Sequence, residues 1–400
     1  MTSRERVLAA IKHQETDRIP IDLGGFNAST ILAEAYNKLL EHLGIDTPIY
    51  IGDTSQFWVL VDEVIRERFN LDVEPCYPLY DALGCRRDRD WIDWTHPSGT
   101  EVKITSDFQP LPQEDGSYLY EVGEAVYRLP AGGHYFDIVK NPYSWVQTPA
   151  DVERMEIPAM DEAETAYISK KAARMRKETE RFVVTEIFGG WNDLAGPWLG
   201  HEKFYMDIIA NTSMMHALFE RMTEVWMRKI DQLVEAAGDN VDAVPVYNDL
   251  GSNMGGIYRT ETIREMVVPY IRKFNDHVER VCNYYIIFHS CGSVYQYLPD
   301  LIDAGVKILN PVQLGAKDME PERLKKEFGK DLVFWGGAID PQHALSFGTP
   351  AQVREEARRN IEIFKAGGGF IFNNPHNVQS NVSPENVVAL YDAATEFGWY

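Results

Sequence analysis

Short apolar runs, each ending in polar residues and glycines, recur along the second half of the chain and are separated by amphipathic helical patterns. Near-continuous apolar strands that alternate with helices are typical of a parallel sheet covered by helices on both faces. The pattern therefore predicts repeated strand and helix units, whose strand segments are 182–190, 242–250, 284–292, 307–313, 332–340 and 370–378.

The beginning of the chain adds another unit of the same kind. Residues 3–12 carry a helical stripe of apolar side chains, with Ser3 as a candidate cap. Residues 19–23 form a short apolar strand that ends at two glycines, and a helix is predicted over 30–43.

These units approach the eight of a closed barrel, so the sequence predicts an α/β protein with the (β/α)8 TIM-barrel architecture. The polar strand ends of such a barrel meet at one face, where barrel enzymes carry out their chemistry. A doubly wound open sheet is the competing architecture, but no glycine-rich phosphate-binding fingerprint follows the first strand.

Residues 75–142 have a different pattern, in which glycine-rich turns separate stretches of alternating polar and apolar residues such as 100–105 and 118–122. This pattern predicts β-hairpins, so we expect an antiparallel β excursion inserted into a single barrel domain that spans residues 1–400. The insertion is rich in aromatic residues, including Trp91 and Trp94. The pattern does not distinguish between two roles for the insertion, a lid over the active site and a contact between subunits of an oligomer.

Composition narrows the function classes. The 400 residues carry a formal net charge of −22, which repels nucleic-acid phosphates and anionic lipid, and no basic stripe offsets it. No apolar run is long enough to cross a bilayer, and the N-terminus does not resemble a signal peptide. We therefore expect a cytoplasmic protein with reduced cysteines that binds neither nucleic acid nor membrane.

The segment Phe288 to Gly292 is the sharpest local feature. Side chains alternate along a strand, so His289 and Cys291 point the same way and can share one Zn²⁺. His376, after the last strand, is a candidate third ligand from another part of the barrel. The competing interpretation of the pair is a buried cysteine beside a hydrogen-bonded histidine.

Two carboxylates also stand at strand ends, Glu186 and Asp249, as candidates for a metal ligand, a partner of a ligand or a proton carrier. Capping of the next helix is the alternative role for each. Neutral polar side chains and a tyrosine at the same face suit a hydrogen-bonding ligand, and the candidates for substrate binding are Tyr247, Asn248, Asn310, Gln313 and Asn373.

Several segments in order resemble the uroporphyrinogen decarboxylase superfamily. They are RERVLAAIKHQETDRIPI near the start, FHSCGSVYQYLPDLIDAGVKILNPVQ in the centre, FWGGAID, FGTPAQVREE and the closing GGGFIFNNPHNVQSNVSPENV. The resemblance covers both ends and most of the C-terminal half, and it implies a (β/α)8 barrel with a cleft at the C-terminal face of the strands.

This superfamily contains two chemistries, of which decarboxylation fits the sequence less well. Members that decarboxylate uroporphyrinogen engage the substrate's carboxylates with an arginine-rich loop after the first strand, without a metal. The corresponding stretch here, residues 22–29, contains no arginine. Binding of a multiply anionic porphyrinogen is hard to justify without those cations, so the decarboxylase remains the alternative reading.

The other branch moves a methyl group from methylcobalamin on a corrinoid protein to coenzyme M or tetrahydrofolate. Its thiol-using members bind zinc through an H-x-C motif and a later cysteine, so the resemblance implies His289 and Cys291 as ligands, with His376 in place of the cysteine. Zinc would lower the pKa of an acceptor thiol. With a pterin acceptor, Asp249 or Glu186 would instead position or protonate the ring, and a site without zinc is the alternative. Prevalence in the family slightly favours the pterin.

The resemblance also implies partners. The chain lacks a D-x-H-x-x-G corrinoid motif, so the methylcobalamin is expected on a separate corrinoid protein, with a small-molecule methyl acceptor as the second substrate. A homodimer is an option by analogy with the superfamily. A non-catalytic binding subunit of a demethylase system is the remaining hypothesis.

Overall fold

The structure is a computed structural model that describes residues 1–186 and 189–400. Eight parallel strands form its central sheet. In chain order they are β1 (Ile21–Asp22), β2 (Val73–Pro75), β3 (Phe182–Val184), β4 (Ala243–Tyr247), β5 (Tyr285–His289), β6 (Ile308–Asn310), β7 (Val333–Trp335) and β8 (Phe370–Asn373). The predicted strand segment 182–190 includes residues 187 and 188, which lie outside the described residues.

The strands follow one another around the sheet, and β1 pairs with β8, so the predicted TIM barrel is confirmed. The remaining seam, between β1 and β2, is bridged by the N–H of Asp72, which donates to the carbonyl oxygen of Ile21 at 2.8 Å. The buried carboxylate of Asp72 accepts the N–H of Ile21 and hydrogen bonds from the guanidinium groups of Arg6 and Arg18. These contacts hold the barrel closed at the N-terminal end of the strands.

Helices cover the outside of the barrel and alternate with the strands from β3 onward. They are α1 (Ser3–Ile11), α2 (Ala33–Leu43), α3 (Glu63–Arg68), α4 (Pro149–Val152), α5 (Glu162–Glu178), α6 (Trp191–Leu199), α7 (His201–Ala210), α8 (Thr212–Ala237), α9 (Thr260–Met266), α10 (Val268–Val281), α11 (Leu298–Asp303), α12 (Pro321–Phe328), α13 (Pro350–Lys365) and α14 (Pro384–Phe397). None of the helices in the described part of the chain is long and apolar enough to span a membrane.

Two predicted helix starts are wrong by one to three residues, for local reasons. Helix α1 is capped by Thr2, whose hydroxyl accepts the N–H of Glu5, and Ser3 is already helical. Helix α2 begins at Ala33 rather than at residue 30. The hydroxyl of Thr30 donates to the carbonyl of Val59, which keeps this part of the backbone extended.

The interior of the barrel is filled by apolar side chains, so the barrel is a packed core and the functional groups are left to its mouth. Trp335 is the largest of these side chains and is fully buried. The other members of this cluster on the strands are Val73, Phe182, Val184, Ala243, Ile287, Ile308, Val333 and Ile371.

The predicted antiparallel excursion is present between β2 and β3. Strands Trp91–Thr95 and Glu101–Thr105 form one pair, and a second sheet contains Leu111–Pro112, Tyr118–Val122, Ala125–Leu129 and Asp137–Lys140. The ring of Trp94 stacks on Phe57 with centroids 5.4 Å apart, and Phe108 and Phe136 surround the same Phe57 ring. These aromatic contacts pack the excursion against the segment between α2 and α3, which carries Phe57.

Candidate active site at the mouth of the barrel

The H-x-C segment lies at the mouth of the barrel. His289 is the last residue of β5 and pairs in register with Tyr247 of β4 and Asn310 of β6. The Sγ atom of Cys291 lies 3.3 Å from Nε2 of His289. His376, after β8, completes a group whose candidate ligand atoms all lie within 4.8 Å of one another. The structure therefore brings together the three residues proposed as metal ligands.

The surroundings of His289 set its tautomer. Nδ1 of His289 lies 2.7 Å from Oδ1 of Asn310, and the amide Nδ2 of Asn310 donates to the carbonyl of Trp335 at 2.8 Å. That second bond turns the amide oxygen toward the imidazole, so Nδ1 carries the proton and donates it. Burial lowers the pKa of His289, which keeps the ring neutral. Nε2 is left with a free lone pair that faces Cys291.

His376 meets His289 edge to face, with ring centroids 5.6 Å apart. Burial and the neighbouring His289 lower the pKa of His376 to about 4. Its Nδ1 accepts the N–H of Asn377 at 2.8 Å, which places the proton of the neutral ring on Nε2. His376 must therefore give up this contact in order to bind a metal through Nε2.

Backbone contacts hold the loop that carries Cys291. Its N–H donates to Oδ1 of Asp249 at 2.7 Å, and the N–H of Gly292 donates to Oε1 of Gln313 at 2.8 Å. Burial, Asp249 and Asp193 raise the pKa of the Cys291 thiol well above its usual range. A cation at this position is the influence that would turn the thiol into a thiolate.

Asp249 lies beside this group with its side chain 43% exposed, and its Oδ1 is 3.8 Å from Nε2 of His289. Its own N–H donates to Oδ1 of Asp193 at 2.8 Å. Burial and the charge of Asp249 raise the pKa of the Asp193 carboxyl. The two carboxyl groups and Cys291 form a connected acidic edge of the mouth.

Glu186 occupies a second part of the mouth, beside Tyr247. The hydroxyl of Tyr247 donates to Oε1 of Glu186 at 2.8 Å, and the N–H of Asn27 donates to the same oxygen. Burial raises the pKa of Glu186 to about 7, although both hydrogen bonds favour the charged form. The ring of Tyr247 lies between this carboxyl and His289, with the two ring centroids 5.1 Å apart.

The amides proposed for substrate binding make bonds within the mouth. Oδ1 of Asn248 accepts the N–H of Asn192, and Nδ2 of Asn373 donates to the carbonyl of Asp22. Gln313 links the loop of Cys291 to Asn253. Asn248, Asn310 and Asn373 are fully buried, so these bonds hold neighbouring backbone at the strand ends.

Sequence reasoning missed Asp193, Tyr77 and Asn27. An acid in the first turn of a helix is common, so Asp193 in α6 carried no signal of its own. Tyr77 follows β2 and Asn27 lies in the loop after β1, and neither belongs to a recognisable motif. Their position at the mouth depends on the closure of the barrel, which local sequence does not encode.

The spacing of the three donor atoms is close to the geometry of a zinc site. Zinc bonds of ~2.1 Å to nitrogen and ~2.3 Å to sulfur place two ligands of a tetrahedron roughly 3.6 Å apart. The separation of 3.3 Å between His289 and Cys291 is close to that value, and the 4.8 Å limit for the whole group requires only a small contraction. Imidazole nitrogen and thiolate sulfur are ligands that zinc prefers, so the residues present fit a zinc ion.

Comparison with known proteins gives a consistent family and fold. The model of the family described as "Uroporphyrinogen decarboxylase (URO-D)" matches residues 137–397. The uroporphyrinogen decarboxylase of Hahella chejuensis is 23% identical over 282 residues, which are 66% of this chain and 73% of that protein. That of Methylococcus capsulatus is 27% identical over 271 residues, 64% of this chain and 71% of the relative.

Among solved structures, a methyltransferase from Methanosarcina mazei superposes with a TM-score of 0.62. The match covers 99% of both chains at 17% sequence identity. At that identity the likeness is one of fold.

Proposed function

The chain belongs to the uroporphyrinogen decarboxylase family, and from that premise we propose that it is a methyltransferase acting between a corrinoid protein and a small-molecule acceptor. The acceptor is tetrahydrofolate or a thiol such as coenzyme M. The methyl group comes from methylcobalamin, which a partner protein carries.

One observation carries this proposal: His289, Cys291 and His376 converge within 4.8 Å at the mouth of the barrel. Imidazole nitrogen and thiolate sulfur are both zinc ligands, and three protein ligands leave the fourth position of a tetrahedral zinc site open for substrate. The loop after β1 adds support, because residues 22–29 contain no arginine that could pair with the carboxylates of a porphyrinogen.

Zinc held by these residues would supply Lewis acidity to the acceptor atom that takes the methyl group. In the transfer, the carbon–cobalt bond of methylcobalamin breaks and its electron pair remains on cobalt as cob(I)alamin. The lone pair of the acceptor sulfur or nitrogen forms the new bond to the methyl carbon, and the acceptor's proton leaves. The methyl group moves as a formal cation, so cobalt goes from Co(III) to Co(I) and the acceptor exchanges its proton for the methyl group without an external oxidant or reductant.

Residues of this chain orient the candidate zinc ligands and provide a proton acceptor for the methyl transfer. Asn310 holds His289 in the tautomer with Nε2 free, and Asp249, 3.8 Å from that nitrogen, is placed to take the acceptor's proton. Gln313 and Asp249 both hold the backbone of the Cys291 loop, so the thiol keeps its place while the substrate exchanges. Tyr247 separates this group from Glu186.

The direct test is anaerobic methyl transfer from free methylcobalamin by the zinc-loaded protein, with tetrahydrofolate and coenzyme M as alternative acceptors. The methylated product is measured by mass spectrometry, and the loss of methylcobalamin by its absorbance. We expect transfer to one acceptor, with a loss of about 10²-fold or more in Asp249→Asn because its carboxylate takes the acceptor's proton. Asp392→Asn, on an exposed ion pair with Arg68, is the control.

Decarboxylation of uroporphyrinogen, the activity after which the family is named, is the competing function. Turnover of uroporphyrinogen to coproporphyrinogen, without methyl transfer to either acceptor, would replace the proposal with a decarboxylase. Tight binding of methylcobalamin or of an acceptor without any turnover would instead indicate a binding subunit.

A further inference from the structure

A second polar group lies at the mouth, on the other side of Tyr247 from the histidine and cysteine cluster. It is centred on the buried carboxyl of Glu186, which is only 6% exposed. The methyl transfer proposed above assigns the acceptor's proton to Asp249, and Glu186, the other candidate carboxylate, has no role in that step. A buried acid with a raised pKa at the mouth of a barrel is a candidate for contact with substrate.

Two buried polar atoms next to this carboxyl have no hydrogen-bond partner within the described part of the chain. They are the hydroxyl of Tyr77 and the amide oxygen Oδ1 of Asn27. Tyr77 as a whole is 2% exposed. An unpaired buried polar atom costs free energy, so such atoms at a binding site commonly find their partner in a ligand.

Both residues border Glu186. The backbone N–H of Asn27 donates to Oε1 of Glu186. Tyr77 and Glu186 each stand two residues beyond Pro75 and Val184, which pair in neighbouring strands β2 and β3. The pairing continues past the strands, because the N–H of Cys76 donates to the carbonyl of Val184 and the hydroxyl of Thr185 donates to the carbonyl of Cys76. Burial and then the charge of Glu186 raise the pKa of the Tyr77 hydroxyl well above its usual range. The three groups therefore surround one part of the mouth.

The ring of Tyr77 is fixed from two sides. It packs on Trp58 with centroids 4.9 Å apart, and the guanidinium of Arg87 lies 5.3 Å from the ring centroid. Arg87 is itself held by the carbonyl oxygens of Gly52, Pro78 and Tyr80. A rigid ring loses little entropy when its hydroxyl binds a ligand, which suits a residue that discriminates between substrates.

We propose that Tyr77, Asn27 and Glu186 form a subsite for an uncharged ring edge that carries an N–H donor beside a carbonyl acceptor. Asn27 Oδ1 accepts the N–H, and the Tyr77 hydroxyl donates to the carbonyl. The inference rests on the proposed function, because it assigns this edge to the small-molecule substrate. An amide-edged heterocycle such as the pterin of tetrahydrofolate meets the requirement, whereas coenzyme M has no such edge.

The charges around the subsite argue for an uncharged edge. The cations near Tyr77 are Arg66, Arg87 and Lys171, and all three donate to backbone carbonyls. An anionic group would face the carboxyl of Glu186, and Asp53 acts on the same carboxyl as a further negative charge. Burial of an unpaired charge there would be unfavourable, whereas a neutral donor and acceptor pair would satisfy both unpaired atoms.

The test is the dissociation constant of tetrahydrofolate measured by calorimetry with the intact zinc-loaded protein. The variants are Tyr77→Phe and Asn27→Leu, which remove the hydroxyl and the amide oxygen. Tyr36→Phe is the matched control, because Tyr36 is a buried tyrosine whose hydroxyl donates to Asp62, away from this subsite. p-Aminobenzoylglutamate, which lacks the pterin ring, separates binding of the ring from binding of the acidic tail.

We expect the dissociation constant of tetrahydrofolate to rise about tenfold in Tyr77→Phe and in Asn27→Leu, and to stay within about twofold in Tyr36→Phe. The zinc content and the binding of coenzyme M should not change in any of the variants. Equal affinity of wild type and Tyr77→Phe would overturn the subsite, as would a wild type that does not bind tetrahydrofolate or binds p-aminobenzoylglutamate equally well.

The experiments distinguish a failure of the subsite from a failure of the proposed methyltransferase function. Tyr77-dependent binding of tetrahydrofolate without any methyl transfer would retain the subsite and remove the proposed function. Methyl transfer to coenzyme M with no binding of tetrahydrofolate would retain the function and remove the subsite.

Discussion

Nδ1 of His289 and Oδ1 of Asn310 are 2.7 Å apart, at the ends of neighbouring strands β5 and β6. Asn310 is fully buried, and its amide group is oriented by the carbonyl of Trp335. The pair fixes which imidazole nitrogen faces Cys291, so a residue outside the proposed ligand set decides whether His289 is ready to bind a metal.

Removal of the Asn310 amide should weaken zinc binding without removing a ligand. We expect Asn310→Ala to lower the zinc affinity about 10- to 100-fold, because His289 loses the partner that fixes its tautomer and ring orientation. The affinity is measured by competition with a chromophoric chelator. Asn360→Ala is the control, since Asn360 is equally buried but donates to Ala338 instead. Equal zinc affinities in the two variants would contradict the role of Asn310.

The carboxyl of Glu186 should make the protein less stable as the pH rises. Burial raises its pKa to about 7 from the usual 4.5, so between these values the folded state holds a proton that the unfolded state releases. Its contribution is therefore most favourable below pH 4.5 and is lost as the pH rises through 7. The full difference is roughly 3 kcal/mol.

Glu186→Gln tests this, because its amide oxygen retains the hydrogen bonds from Asn27 and Tyr247 and cannot ionise. We expect urea unfolding to show the variant about as stable as the wild type near pH 5 and more stable near pH 8, by up to about 3 kcal/mol. Glu235→Gln, on the surface, should show no such pH dependence. A difference between Glu186→Gln and wild type that is the same at both pH values would refute the assignment.

Gly292 should be needed for its lack of a side chain. Its φ is +79°, and a Cβ atom there would lie 2.5 Å from the carbonyl carbon of Gly251. We expect Gly292→Ala to displace the Cys291 loop and weaken zinc binding by at least about tenfold, in addition to a loss of stability from the strained backbone. Gly84→Ala separates the two effects, because Gly84 has φ +78° with nothing within 4 Å of a Cβ. If Gly292→Ala binds zinc as tightly as Gly84→Ala, the close approach to Gly251 is not what holds the Cys291 loop in place for zinc binding.

Asp72 should be a major contributor to the closure of the barrel. Its carboxylate, fully buried, pairs with Arg6 and Arg18 at 2.6 Å each. We expect Asp72→Asn to lower the free energy of unfolding by about 3–5 kcal/mol, because two guanidinium groups lose their buried partner. Asp392→Asn removes an exposed pair with Arg68 and should cost about 0–1 kcal/mol. Urea denaturation measures both; a similar small loss in the two variants would show that the seam does not depend on this charge.

The barrel and the H-x-C group could be predicted because local pattern determines them. Apolar strands followed by polar ends define the barrel face, and the alternation of side chains places His289 beside Cys291. His376 was predicted from the convergence of strand ends and from the family resemblance, and its candidate ligand atom lies within 4.8 Å of the other two.

Other features depend on long-range contacts and could not be predicted. Thr30 is extended because its hydroxyl bonds to Val59, so the helix after it begins later than its apolar pattern indicates. Asp193 is near Asp249 only because α6 folds back over the mouth. The tautomer of His289 depends on Asn310, which is twenty-one residues away in the chain.

The central claim is that His289, Cys291 and His376 hold one zinc ion at the mouth of the barrel. Its most direct test is the zinc content of the protein purified without added metal and after reconstitution, measured by mass spectrometry beside the variants His289→Ala, Cys291→Ser and His376→Cys. We predict close to one zinc per chain in the wild type, loss in the first two variants, and tighter binding in His376→Cys, where a thiolate replaces an imidazole that must first release Asn377. A wild type that binds no zinc even after reconstitution would contradict the claim.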